Sequence, residues 1–220
     1  MPRPVIAPYI TRWSGEPDLP QPVRARPGLG VCYADELPID RDSRGVLWRR
    51  AGMRPGTGRP EFGRVHPLRQ RRAMRRLLCQ VCAAPADRDD SGVLWLLRDF
   101  RGDWARWPDG MGCVEPPVCA PCVPVSLRLC PALRRGAVAV RVQDCPIAGV
   151  RGVVYREDFS GLVAVEEAVL PYDDPDVRWL VASALVRELR GCTVLPLDAF
   201  AERGGADGEE LDLAVRADRF

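Results

Sequence analysis

CQVCAAPADRDDSGVLWLLRDF (residues 79–100) and CAPC (119–122) carry two Cys-x-x-Cys pairs separated by 36 residues. A Cys-x-x-Cys turn presents two thiolates on one knuckle, where backbone amides point at the sulfurs and favour their charge. Two such turns supply the four ligands of a tetrahedral zinc, with sulfur at about 2.3 Å from the metal. Cys79, Cys82, Cys119 and Cys122 are therefore the predicted ligands of one structural Zn2+. Four thiolates close the shell, so such a metal stabilises the fold and leaves no open position for catalysis. A redox pair, or two buried pairs without metal, are the alternatives; neither pair sits in a βαβ unit of the thioredoxin kind. Cys113, six residues before Cys119, is the substitute ligand. Cys32, Cys130, Cys145 and Cys192 read as small core residues.

Between the pairs, DRDDSGVLWLLRDF reads as a β-hairpin and GDWARWPDGMG as a tryptophan-bearing loop. Residues 119–134 read as a knuckle running into a helix that Pro131 stops or kinks, with Gly136 beyond it. The order knuckle, hairpin, helix resembles the treble-clef zinc scaffold. It also resembles HNH-type nucleases, in which two such knuckles flank a catalytic hairpin whose histidine is the general base. Here tryptophan and leucine stand where Asp-His would be, and no histidine lies between Cys79 and Cys122. The resemblance implies the scaffold without the nuclease site. PYITRWSGE, GRPEFGRVHPLRQRRAMRRLLCQVC, GVLWLL, PPVCAPC and LRLCPALRRGAVAVRV also resemble an uncharacterised protein family of high-GC Gram-positive bacteria over most of residues 8–190. That resemblance implies no activity.

Upstream, PLRQRRAMRRLL (67–78) reads as a basic helix opened by Pro67. From Arg49 to Arg76 there are ten arginines against one acid, Glu61, a local charge of +9 in a chain whose net charge is +2. This concentration is the electrostatic footprint of phosphate binding. Arg64, Arg69, Arg71, Arg72, Arg75 and Arg76 are the predicted nucleic-acid contacts, with Phe62 available to stack on a base. The competing reading is a solvated face, or arginines neutralised by Asp87, Asp89, Asp90 and the acidic C-terminus. All 32 basic residues are arginine, and lysine and asparagine are absent. A phosphate-loop lysine and a lysine Schiff base are thereby excluded.

His66 is the single histidine, so mechanisms needing two are excluded. An enzyme of specialised or defence metabolism would draw on His66 with Asp99, Asp103 or Glu166 and Glu167, although adjacent glutamates on a strand face opposite ways. Trp95, Trp104 and Trp107 offer a third possibility, a protein-interaction or accessory role, or else the core of a small zinc module.

The chain divides into an extended proline-rich arm (1–28), an N-terminal hairpin and basic loop (29–66), the basic helix and zinc-binding region (67–136), a β-rich region with a C-terminal helix (137–200) and a flexible acidic tail (201–220). The helix is placed at 175–190: Asp173, Asp174 and Pro175 open it, Val177, Leu180, Val181, Ala184, Leu185 and Leu189 form its stripe, and Gly191 ends it. Residues 31–48 also match 78–95 at nine of eighteen positions, as two hairpins with shared turn chemistry or as a duplication. The expected fold class is α+β, with a treble-clef-like centre, a β-rich C-terminal half and a closing amphipathic helix. No apolar run reaches membrane-spanning length and no secretory signal is evident, so a cytoplasmic location is expected, with nucleic acid or protein as partner.

Overall fold

Gly-Val-Leu-Trp-Leu-Leu-Arg (92–98) is apolar at every interior position, the pattern of a strand covered on both faces. In the computed structural model, which describes residues 7–159 and 161–200, it is one. In chain order the elements are β1 (Thr11–Trp13), β2 (Val23–Arg26), β3 (Gly30–Tyr33), β4 (Leu47–Trp48), β5 (Pro60–Val65), α1 (Pro67–Arg76), β6 (Arg88–Asp89), β7 (Gly92–Arg98) and β8 (Gly112–Cys113). They continue with α2 (Cys122–Leu129), β9 (Ala137–Asp144), β10 (Ile147–Asp158), β11 (Gly161–Pro171), β12 (Leu180–Glu188) and β13 (Arg190–Leu195). The content is α+β, dominated by strands.

Two larger sheets share the chain. One runs β13-β9-β7-β6; the other runs β11-β10-β12-β4, with β8 also on β12. Two of the passages between them are short, from β9 to β10 through Cys145 and Pro146, and from β12 to β13 through Leu189. β7 alternates as a pleated strand must. Val93, Trp95 and Leu97 pack with Trp107, Val140 and Leu189 on one side. Leu94 and Leu96 pack with Cys79, Val118 and Cys122 on the other. The β6–β7 turn rests on Gly92, whose φ of 116° and close approach to the Val142 carbonyl leave no room for a Cβ.

The structure corrects the sequence reading at three places. Residues 175–190 are not a helix. Asp174 does cap Asp176 N at 2.8 Å and Pro175 does open a turn, but only a 3-10 turn, Pro175–Trp179, forms before the chain extends into β12. β12 lies between β10 and β4, and Leu180, Val181, Ala182, Leu185 and Val186 are buried. An apolar run covered on both faces satisfies a helical stripe and a strand alike, and strand pairing decides. The closing amphipathic helix is therefore replaced by a central strand.

The predicted hairpin over 30–50 is reduced to its tip, where Arg41 and Leu47 bridge antiparallel across the turn. β3 pairs with the preceding β2, and β4 pairs in parallel with β12. The turn chemistry shared with 78–95 is nevertheless present: Asp42 Oδ1 accepts from Arg44 N at 3.0 Å, as Asp89 Oδ1 accepts from Ser91 N at 2.9 Å. The two copies share a turn and lie in different sheets. Finally, the arm is not merely draped: Thr11–Trp13 pairs with Pro60–Val65, and Ile10 and Glu16 are buried. Residues 1–6 and the acidic tail at 201–220 lie outside the described residues.

α1 forms as expected from Pro67 and ends at Leu77, which adopts the left-handed conformation with φ 51° and ψ 52°. Its underside is polar as well as apolar: Arg69, Gln70, Ala73 and Met74 are buried. Gln70 Nε2 donates to the carbonyls of Val114 (2.8 Å) and Leu185 (2.9 Å), while Leu185 N donates to Gln70 Oε1 at 2.9 Å. Arg187 Nε donates to the Met74 carbonyl at 2.8 Å and a second guanidinium nitrogen donates to the Cys145 carbonyl. Replacing Gln70 by Met, similar in volume, removes the side-chain partner of three backbone groups, two of them on buried Leu185. The expected loss is about 2–4 kcal/mol in urea unfolding; an unchanged midpoint would refute this account of the α1–β12 contact.

Candidate metal centre and arginine face

Leu78 and Pro85 form an isolated antiparallel bridge that closes the first cysteine turn. Inside it, Cys79 N donates to Ala84 O at 2.7 Å, Ala83 N donates to Cys79 O at 2.9 Å and Val81 N points at Cys79 Sγ at 3.4 Å. Ala83, with φ 62°, takes the left-handed step that turns the chain back. In the second turn Cys122 N donates to Cys119 O at 3.0 Å, and Cys122 is the first residue of α2. The segment before it ties the turns together. Gln80 N donates to Pro117 O (3.0 Å), Asp87 N to Val118 O (3.1 Å) and Val118 N to Leu94 O (2.9 Å).

The result is that Cys79, Cys82, Cys119 and Cys122 bring their sulfurs within 4.8 Å of one another, with Cys82 and Cys119 at 3.6 Å. A tetrahedron with metal–sulfur bonds of 2.3 Å has sulfur–sulfur edges of about 3.8 Å, so the four are close enough to share one metal ion. The thiols perturb each other strongly: hydrogen bonding from Cys119 and then Cys122 holds Cys79 well below the ordinary thiol range, while Cys119, Cys79 and Cys82 push Cys122 up. Such a cluster gains most from a cation. Cys113 is not part of it; its buried thiol faces Glu115.

The arginines of 49–76 separate into a paired set, a helical set without ion pairs, and Arg54 and Arg59, which are exposed in the loop before β5. Arg49 pairs with Asp18, Arg50 with Asp35 and Asp40, and Arg64 with Glu61. Arg69, predicted as a nucleic-acid contact, points inward: it is 1% exposed and grips Glu16 with both terminal nitrogens, at 2.5 and 2.8 Å. A charge that deep stays in the protein only when paired, so Arg69 is structural. Arg71, Arg72, Arg75 and Arg76 have no carboxylate within ion-pair distance among the described residues. Asp87 and Asp89, their suggested neutralisers, both engage Arg141 instead. Arg71 lies over the Trp48 ring, 4.1 Å from its centroid. Arg72 donates to the Tyr9 hydroxyl at 2.9 Å, and Arg75 and Arg76 are exposed.

His66 occupies the N-cap position of α1, but its side chain makes no capping bond. It is buried, with Nε2 on the Gly52 carbonyl at 2.9 Å and 3.7 Å from Glu16. It lines a small recess with Glu16 and Asp18; Asp99, Asp103, Glu166 and Glu167 are not there. Because Glu16 is committed to Arg69, no free carboxylate among the described residues lies within ion-pair distance of His66. Trp95 and Trp107 are core residues, which removes them from an interaction surface; Trp104 is exposed. Two features were not signalled by the sequence, the Glu16–Arg69 pair and the exposed Ile39 beside the arginine face, since neither belongs to a motif. No helix among the described residues is long and apolar enough to cross a membrane.

Comparison with family models, with curated proteins and with solved structures finds no match.

Burial lowers the His66 pKa below its ordinary 6.5; the Gly52 carbonyl opposes that shift and the Arg69 charge adds to it. Below pH about 6.5 the unfolded chain therefore takes up a proton that the folded chain resists. Stability should fall as pH drops from 6.5 toward the folded pKa, and be independent of this group above 6.5. Urea midpoints measured from pH 7.5 to 5.5 check this: His66→Gln should show a shallower decline than wild type, and parallel curves would contradict a neutral buried histidine.

Proposed function

We propose that the chain is a zinc-stabilised binding protein whose partner is nucleic acid. The observation that carries this reading is the row of Arg71, Arg72, Arg75 and Arg76 on one helix, without a carboxylate within ion-pair distance among the described residues. Uncompensated guanidinium groups at this density attract polyanions and gain from counterion release. Four sulfur donors with no oxygen or nitrogen donor favour zinc among the common ions. A closed four-thiolate shell assigns the metal a structural part. The order of first knuckle, β6–β7 hairpin and second knuckle opening α2 supports a treble-clef-like description of the centre.

Metal and arginine face are joined mechanically. α1 runs through Leu77 and Leu78 into Cys79, and Tyr9, which meets Arg72, donates its backbone N–H to Val81 O at 2.9 Å. Metal binding thus holds the C-terminal end of the basic helix in place.

Elemental analysis of the purified chain should find about one zinc per molecule, and Cys122→Ser should release it with loss of cooperative unfolding, since such sites contribute on the order of 10 kcal/mol. The zinc-loaded protein should retain labelled nucleic acid at low salt. With four phosphates engaged, log K against log salt should slope at about −3. No retention of any DNA or RNA at low salt would overturn the nucleic-acid reading, and absence of metal would overturn the zinc reading.

A further inference from the structure

The four arginines without ion pairs line one side of a shallow, open groove. Arg71, Arg72, Arg75 and Arg76, with Leu68, face Ile39 and Arg41 across it. The opposite wall is the 3-10 turn Pro38–Asp40. That turn is held firmly: Asp40, itself buried, accepts from Leu37 N at 2.8 Å and from Arg50 at 2.6 and 2.9 Å. Arg41 is already occupied by Glu36 at 2.7 and 2.9 Å and by the carbonyls of Gly45 and Val31. What the turn offers the recess is Ile39, 81% exposed on a fixed backbone. An apolar side chain held out over arginines is poor packing for the protein alone and a contact for a ligand that is both anionic and flat-faced.

We infer that this groove receives one unpaired strand of DNA or RNA, phosphates on Arg72, Arg75 and Arg76 and bases against Ile39 and the outer face of Arg71. The inference rests on the nucleic-acid reading above and narrows it. A helix reads a duplex by entering a major groove about 12 Å wide, which demands that it protrude. α1 does not: β12 covers its underside and the 38–40 turn flanks its outer side. A single backbone can lie in the recess instead. Arg71 and Arg75, and likewise Arg72 and Arg76, are four residues apart, so each pair advances about 6 Å along the helix axis. The Arg71 guanidinium carbon lies over the Trp48 ring, 4.1 Å from its centroid, and the far side of the guanidinium is available for a base to stack on. Its Nε is buried and donates to no group among the described residues.

Fluorescence anisotropy on the zinc-loaded full chain tests this, with a labelled single-stranded DNA 12-mer, the matching RNA and the blunt duplex. Both single strands, or one of them, should bind about tenfold or more tighter than the duplex, and the tighter of the two identifies the natural source. Ile39→Ser should weaken single-strand binding by roughly three- to tenfold and leave duplex binding unchanged. Arg75→Ala/Arg76→Ala should weaken it further and reduce the salt slope by roughly 1.4. Circular dichroism and zinc content of both variants should match wild type, since none of the three side chains supports the core. Duplex binding equal to or tighter than single-strand binding, or indifference to Ile39→Ser, overturns the strand assignment while leaving nucleic-acid binding intact. No binding to any of the three probes overturns the broader reading. Competition by polyglutamate as effective per charge as the oligonucleotide overturns both, and assigns the groove to an acidic protein.

Discussion

Four cysteine sulfurs crowd within 4.8 Å of one another, and as thiolates at that spacing they repel unless a cation lies among them. The turns that carry them are far apart in sequence, so a shared ion would close a loop of about forty residues and offset the entropic cost of that closure by its binding free energy. The consequences spread through β7. Its two faces serve different cores, Trp95 and its neighbours on one side and the cysteine turns on the other. Without the cysteine cluster, Leu94 and Leu96 would lose their cover, and the β13-β9-β7-β6 sheet would be left half-dressed.

Sequence reading succeeded where one local cause acted alone. The Cys-x-x-Cys pairs needed only geometry, Pro67 and the breaker-free run after it were enough for α1, and alternation with glycine turns marked the strands from 137 to 171. It failed where long-range pairing arbitrated between local options. Leu180–Glu188 carries an apolar pattern that suits a helix and a doubly covered strand equally, and only its neighbours β10 and β4 choose. Val31 to Trp48 has a good turn at Asp42–Gly45, closed by one antiparallel bridge between Arg41 and Leu47, but the longer strands on either side pair elsewhere, with β2 and β12. The turn was legible; the pairing was not.

Arginine clusters carry a further lesson about charge. Ten arginines against one acid over residues 49–76 gave a local excess that looked uniform. Folding brings in acids from outside that window: Asp18, Asp35 and Asp40 for Arg49 and Arg50, and Glu16 for Arg69. Local net charge along a sequence therefore overstates the field that the surface retains. What remains after pairing is a smaller set, Arg54 and Arg59 in the loop before β5 and Arg71, Arg72, Arg75 and Arg76 on α1.

α1 also shows how a short helix can be oriented by polar contacts. A ten-residue helix is marginal alone, and burying Arg69 and Gln70 against Glu16 and the Leu185 backbone adds desolvation cost that apolar residues would not incur. The gain is direction. Apolar side chains tolerate slippage and rotation, whereas Arg69 must meet the Glu16 carboxylate and Gln70 must meet both the N–H and the carbonyl of one residue, Leu185. With Arg187 fixing the Met74 carbonyl near the other end, rotation of the helix about its axis is locked. The outward set, Arg71, Arg72, Arg75 and Arg76, inherits that lock. A surface meant to meet a ligand at defined spacing needs a fixed helix phase, and the buried polar residues beneath α1 supply it.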